Sequence, residues 1–139
     1  MYRKILLPLD LADDHQKVID IAAEFARQAE GEVLLLHVVQ TIPGLSIDAE
    51  RDFYGQLETT SQEFLTKLSN RFTEQGIRTR MRVLNGNRGE QVLDYATDNQ
   101  VDLIIMRSPR INPSTARSGV GSLSWKIGLL APCDVLLVR

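Results

Sequence analysis

The residues best equipped to bind an anion lie in "IIMRSPRINPSTARSGVGS", Ile104 to Ser122. An apolar run ends at Met106, and Arg107, Arg110 and Arg117 follow among serines, prolines and glycines. Arginine offers planar, charge-assisted donors that match phosphate oxygens. Gly121 and Ser122 stand where a short apolar pattern, "SLSWKIGLL", begins. Free amides at a helix start suit a phosphate, and Ser122 adds a hydroxyl. A surface loop with solvated arginines and a serine helix cap accounts for the same residues, so both readings stay open on residue types alone.

A second chemical group is Asp10, directly after the apolar "ILLPL". Its carboxylate can accept hydrogen bonds from a ribose or an adenine amino group, or coordinate a metal. Asp10, Asp13 or Asp14 can instead cap the helix that follows, and the two roles are compatible at different atoms. His37 lies inside "LLLHVV" without a partner cysteine or serine pattern, which fits a hydrogen-bonded core residue. His15 is expected on the exposed side of the first helix. The turn "NGNRGEQ", Asn85 to Gln91, has glycines that permit positive φ before a helix start that can face an anion; a simple strand-to-helix turn is the plainer reading. The Walker loop, the dinucleotide fingerprint G-x-G-x-x-G, H-E-x-x-H, paired cysteines and the G-x-S-x-G elbow are all missing from the sequence. No catalytic residue and no metal site is therefore assigned.

The elements that must position these groups alternate in type. Four nearly continuous apolar runs have strand character: Lys4 to Leu9, Glu32 to Val39, Asp102 to Arg107 and Asp134 to Arg139. Such runs fit strands covered on both faces. A fifth, Arg78 to Asn85, alternates polar and apolar residues and fits the edge of a sheet. Between them, Val18, Ile19, Ala22, Phe25, Ala26 and Ala29 form one helical face that stops at Gly31. Phe53, Leu57, Phe64, Leu68 and Phe72 recur at roughly helical spacing up to Gly76. "GEQVLDYATDNQ" and "SLSWKIGLL" supply two more helices. The order β-α-β-α-β-α-β-α-β predicts an α/β fold, a five-stranded parallel sheet with helices on both faces. Ligands in such sheets bind beyond the carboxyl ends of the strands, where strand order reverses. That rule selects the segments after Leu9, Val39, Asn85 and Met106.

Size and composition limit the remaining choices. The 139 residues suit one domain, 1–139, and a hydrophobic content of 43% supports a packed core. A net charge of −2 gives no argument for nucleic acid or a membrane surface. The short apolar run near the start is neither a signal peptide nor a membrane span. The single cysteine, Cys133, forms no internal disulfide, is expected to be a small buried packing residue, and fits a cytoplasmic location.

Taken in order, "KILLPLD", "LLLHVV", "GNRGEQVLDYA", "DLIIM", "GSLSWKI" and "APCDVLLVR" resemble the universal stress protein family over nearly the whole chain. The resemblance implies an adenine-nucleotide α-hydrolase-like, Rossmann-like sandwich. It also implies a cytoplasmic homodimer paired through the last strand, Asp134 to Arg139, that accompanies stress responses. One branch of the family binds ATP and another does not. Against the ATP-binding branch, Pro8, Leu9 and Asp10 match the end of the first strand. Val38 matches the residue whose backbone meets adenine, and Gly121, Ser122 and Leu123 match the end of the phosphate motif after Met106. Arg107 and Arg110 stand where that motif has its first two glycines, and the interval to Gly121 is one residue longer than the pattern. Glycine lets a backbone amide approach a phosphate; arginine does not, and Pro109 removes a donor.

The implied function is a dimeric regulatory module with a modified or vestigial site for ATP or another adenine nucleotide, with magnesium, or with no ligand. The alternative is a protein-interaction module, suggested by exposed charges and the connection Thr41 to Gln56. Slow ATP hydrolysis, with Asp10 placing magnesium, is a third reading, and no general base for it is evident.

Overall fold

The computed structural model describes residues 1–11, 14–41, 51–108 and 123–139. These residues form five strands: β1 (Lys4–Pro8), β2 (Glu32–Gln40), β3 (Arg78–Gly86), β4 (Leu103–Arg107) and β5 (Asp134–Val138). Four helices alternate with them: α1 (Gln16–Ala29), α2 (Arg51–Thr73), α3 (Arg88–Asp98) and α4 (Leu123–Leu130). All five strands join one parallel sheet in the order β3-β2-β1-β4-β5. The expected α/β architecture is the one observed, with the alternating strand β3 at an edge.

The apolar runs are buried on both faces because each face carries its own helices. On one side Ile5, Leu7, Val33, Leu35 and Ile105 pack against α1 and α2, including Ile19, Ala22, Leu65 and Phe72. On the other, Leu6, Leu34, Leu36, Ile104 and Met106 pack against Val92 and Ala96 of α3 and Ile127 of α4. Successive strand residues point to opposite faces, so a strand with no polar alternation requires two cores.

Several details depart from the sequence reading. In α2 the face turned inward is Tyr54, Ser61, Leu65, Leu68 and Phe72, whereas Phe53 is exposed and Leu57 and Phe64 are half-buried. At the end of α1 the left-handed residue is Glu30, φ 52°, and not Gly31. Gly31 is needed for another reason: a Cβ there would lie 2.7 Å from the carbonyl oxygen of Arg3. His15 also differs from expectation. It is buried, at 5% exposure, immediately before α1.

Candidate functional site

Strand order reverses between β1 and β4, since the chain lays down β1, β2 and β3 in one direction and then returns to place β4 and β5 on the other side. A crevice is expected at the carboxyl ends of these two strands. The hydrogen bonds explain why the strands part there. Asp102 donates its N–H to Lys4 O, and Leu9 donates its N–H to Leu36 O. Alternate residues of β1 therefore serve β4 and β2 in turn, which aims position 8 at β4. Pro8 has no N–H to give. β1 pairs β4 over Ile5–Leu103 and Leu6–Ile104, whereas it pairs β2 through Pro8–Leu36.

Asp10 follows on the β1 side of this opening, half-buried. Arg107 ends β4 on the other side, exposed, and its Nη1 donates to the backbone carbonyl of Asp14 across the gap. The guanidinium thus ties the exit of β4 to the segment entering α1. The N-cap position of α1 is His15, whose side chain makes no cap bond, and Asp14 just before it accepts from the first helical N–H, Gln16 N, at its Oδ1 at 3.0 Å. Of the three aspartates considered for capping, Asp14 makes that bond and Asp13 lies outside the described residues.

Both histidines of the chain end at this corner. His37 Nδ1 lies 2.7 Å from Leu9 O, and His15 Nε2 lies 2.8 Å from Asp10 O and 3.7 Å from Asp10 Oδ1. A carbonyl only accepts, so each of those nitrogens carries the proton. His37 is the hydrogen-bonded core residue expected. His15 has the Phe64 ring of α2 edge-on at 6.2 Å, and its Nδ1 is buried with no hydrogen-bond partner among the described residues.

The other residues singled out from sequence divide by position. Leu9, Val38 and Met106 have buried side chains, which leaves their backbone as the part that can meet a ligand. Leu123 is half-buried at the start of α4. Arg110, Gly121 and Ser122, with Pro109 and Arg117, lie outside the described residues. Both flanks of that segment are fixed at the same end of the sheet. Ser108 donates its N–H to Val138 O at 2.7 Å, and its hydroxyl donates to Ser124 Oγ of α4 at 3.4 Å. Sequence patterns gave no signal for Ser108, Ser124 or His15, because their partners are 15 or more positions away or in an irregular loop.

The turn into α3 matches the plainer expectation. Gly86 has φ 141°, and Asn87 caps the helix by accepting from Glu90 N at 3.1 Å. Lys126 of α4 covers this helix start closely enough that a Cβ on Gly89 would meet its Cδ at 2.9 Å. Cys133 is half-buried, not fully buried; desolvation, then the charges of Asp102 and Asp134, push its thiol pKa up. A groove of about 550 Å³ lined by Ala26, Arg27, Gln75 and Arg78 lies at the other end of the sheet, where α1 and α2 end. Helix carboxyl ends disfavour phosphate, so that groove does not compete with the crevice for an anion. No group of three or more His, Cys, Asp or Glu suited to a metal occurs among the described residues, and no described helix is long and apolar enough to cross a membrane.

Comparison with known proteins gives a consistent picture. The family model described as "Universal stress protein family" matches residues 1–139. The universal stress protein YxiE of Bacillus subtilis is 26% identical over 149 aligned positions, covering 100% of each chain. Among solved structures, the universal stress protein UspA from Lactobacillus plantarum superposes with a TM-score of 0.80 at 22% identity, covering 99% of this chain and 98% of that one. A universal stress protein from Archaeoglobus fulgidus, solved in complex with dAMP, gives a TM-score of 0.74 at 17% identity, covering 99% and 98%. At these identities the structural likeness is one of fold.

Proposed function

The chain belongs to the universal stress protein family, and from that premise we propose that it is a regulatory stress-response module that takes an adenine nucleotide in the crevice between β1 and β4. The observation that carries the reading is the position of Asp10 and Arg107 at the exits of β1 and β4, the two strands between which strand order reverses. A carboxylate there suits ribose hydroxyls, and a guanidinium suits phosphate. The dAMP complex of the Archaeoglobus fulgidus relative supports the ligand class. In this reading the Pro8–Asp10 backbone and that of Val38 meet the nucleoside. Met106, Arg107, Arg110, Gly121, Ser122 and Leu123 form the phosphate end, with arginine side chains standing in for glycine amides. Calorimetric titration with ATP, ADP and AMP, with and without magnesium, tests it. Absence of binding for all three up to millimolar concentration refutes it.

The reading includes a cytoplasmic homodimer joined through β5. The two sheet edges differ in a way that favours that side. β3 exposes Arg78, Arg80 and Arg82, whereas β5 is Val135 to Val138 after Asp134, with Leu137 41% exposed. Charged side chains discourage edge pairing, and a short apolar edge invites it. A monomer in sedimentation at micromolar concentration contradicts this part, and cell fractionation checks the compartment.

A second reading, a protein-interaction module, is favoured by one observation. Trp125, Leu129 and Leu130 of α4 are 54%, 68% and 61% exposed. Pull-downs from stressed cells that return only the protein itself would remove it. Slow ATP hydrolysis placed through Asp10 is a weaker third reading; turnover unchanged by Asp10→Ala combined with Ser122→Ala indicates contamination.

A further inference from the structure

Two consecutive carbonyls at the end of β1 accept from buried imidazoles. Leu9 O accepts a hydrogen bond from His37 Nδ1 at 2.7 Å, and Asp10 O accepts one from His15 Nε2 at 2.8 Å. These are the chain's two histidines, at 6% and 5% exposure. A peptide unit is planar, so fixing a carbonyl fixes the whole unit. The Leu9 carbonyl belongs to the plane that carries the Asp10 N–H, and the Asp10 carbonyl belongs to the next plane. With both planes held, φ and ψ of Asp10 are held, and with them the direction of its Cα–Cβ bond.

We infer that His15 and His37 are positioning residues that aim Asp10 into the crevice, an assignment that rests on the nucleotide reading above. His37 is rigid because it lies within β2. His15 is held by its place before α1, where Ile19 N donates to its carbonyl at 2.9 Å, and by Phe64 of α2. Its Nδ1 has no partner among the described residues, a state that burial penalises. An imidazole that served only to fill space would be replaced with benefit by an apolar side chain. Among the described residues, the one hydrogen bond its ring makes is to Asp10 O.

The test has two arms. In the first, AMP binding to the full chain is titrated for His15→Leu, His15→Gln and the control Val18→Ala, alongside thermal melts. His15→Leu is expected to weaken AMP about tenfold, the effect of one lost hydrogen bond, and His15→Gln to recover affinity to within about threefold by restoring an N–H. Val18→Ala, which removes buried methyl groups from α1 and leaves both imidazole–carbonyl bonds in place, lowers the melting temperature and leaves affinity unchanged. AMP affinity in folded His15→Leu equal to that of the parent overturns the assignment, as does equal loss in the Leu and Gln variants. In the second arm, 15N shifts of the parent protein give the tautomers. His15 protonated at Nε2 and His37 at Nδ1 support the arrangement; the opposite neutral tautomer at either residue overturns it. A parent protein that binds no AMP, ADP or ATP refutes the nucleotide reading itself and is recognised before any variant is compared.

Discussion

Three glycines, replaced one at a time by alanine, give a test in which competing accounts predict opposite signs. Gly31 joins α1 to β2 and reads in sequence as a helix stop. Its φ is not left-handed, the left-handed residue being Glu30, so with open space around it alanine would be tolerated, and the loss of unfolded-state freedom would stabilise the protein by about 0.4–1 kcal/mol. The structure gives a different reason. An added Cβ would lie 2.7 Å from Arg3 O, 2.9 Å from its Cα and 3.0 Å from its carbonyl carbon. All three are backbone atoms of the chain entering β1, and Arg3 O already accepts from Glu32 N at 2.8 Å. Relief requires moving β1 relative to β2, so overpacking should destabilise by about 1–3 kcal/mol. Gly76, φ 74°, has open space around its Cβ position; alanine there should lose about 1 kcal/mol from backbone strain alone. Gly55, exposed within α2 with nothing nearby, should gain about 1 kcal/mol from helix propensity. Urea midpoints at constant m-value measure all three. A Gly31→Ala midpoint equal to or above that of the parent refutes the close approach of Arg3 and Gly31, whatever the other two show.

Other expectations follow from the site and the edges. Arg107→Ala should weaken ATP more than AMP and flatten the salt dependence of ATP binding, because it removes a charge-assisted donor at the phosphate end; equal losses for the two nucleotides refute that placement. Leu137→Glu should shift a dimer to monomer in sedimentation velocity, since a charge on β5 opposes edge pairing. Alkylation of Cys133 by iodoacetamide should rise with pH later than that of an unstructured thiol, because desolvation first and Asp102 and Asp134 next disfavour the thiolate. The sign for stability follows: the unfolded thiol releases its proton at lower pH than the folded one, so folding stability falls as pH rises through the unfolded value.

Much of the fold was legible because it depends on local pattern. Continuous apolar strands announced a sheet covered on both faces, and the alternation of Arg78 to Asn85 announced its edge. Helix faces were read less well at the start of α2: Phe53 fits the period of the helix, yet Tyr54 is the ring that turns inward. His15 failed for a related reason. Spacing along a helix does not describe the residue before its first turn, whose side chain here folds back onto Asp10.

By itself the sequence determined the order of elements, the two-faced core and the strand ends that could meet a ligand, because burial periodicity and turn residues are written locally. It also singled out Asp10 and Arg107 by type, and Pro8 through the family resemblance. Only the tertiary structure decided what those residues do to one another. Strand order turns the missing N–H of Pro8 toward β4, Arg107 reaches Asp14 across the opening, and two imidazoles far apart in sequence converge on adjacent carbonyls. Such contacts depend on which strands become neighbours, and no local pattern encodes that choice.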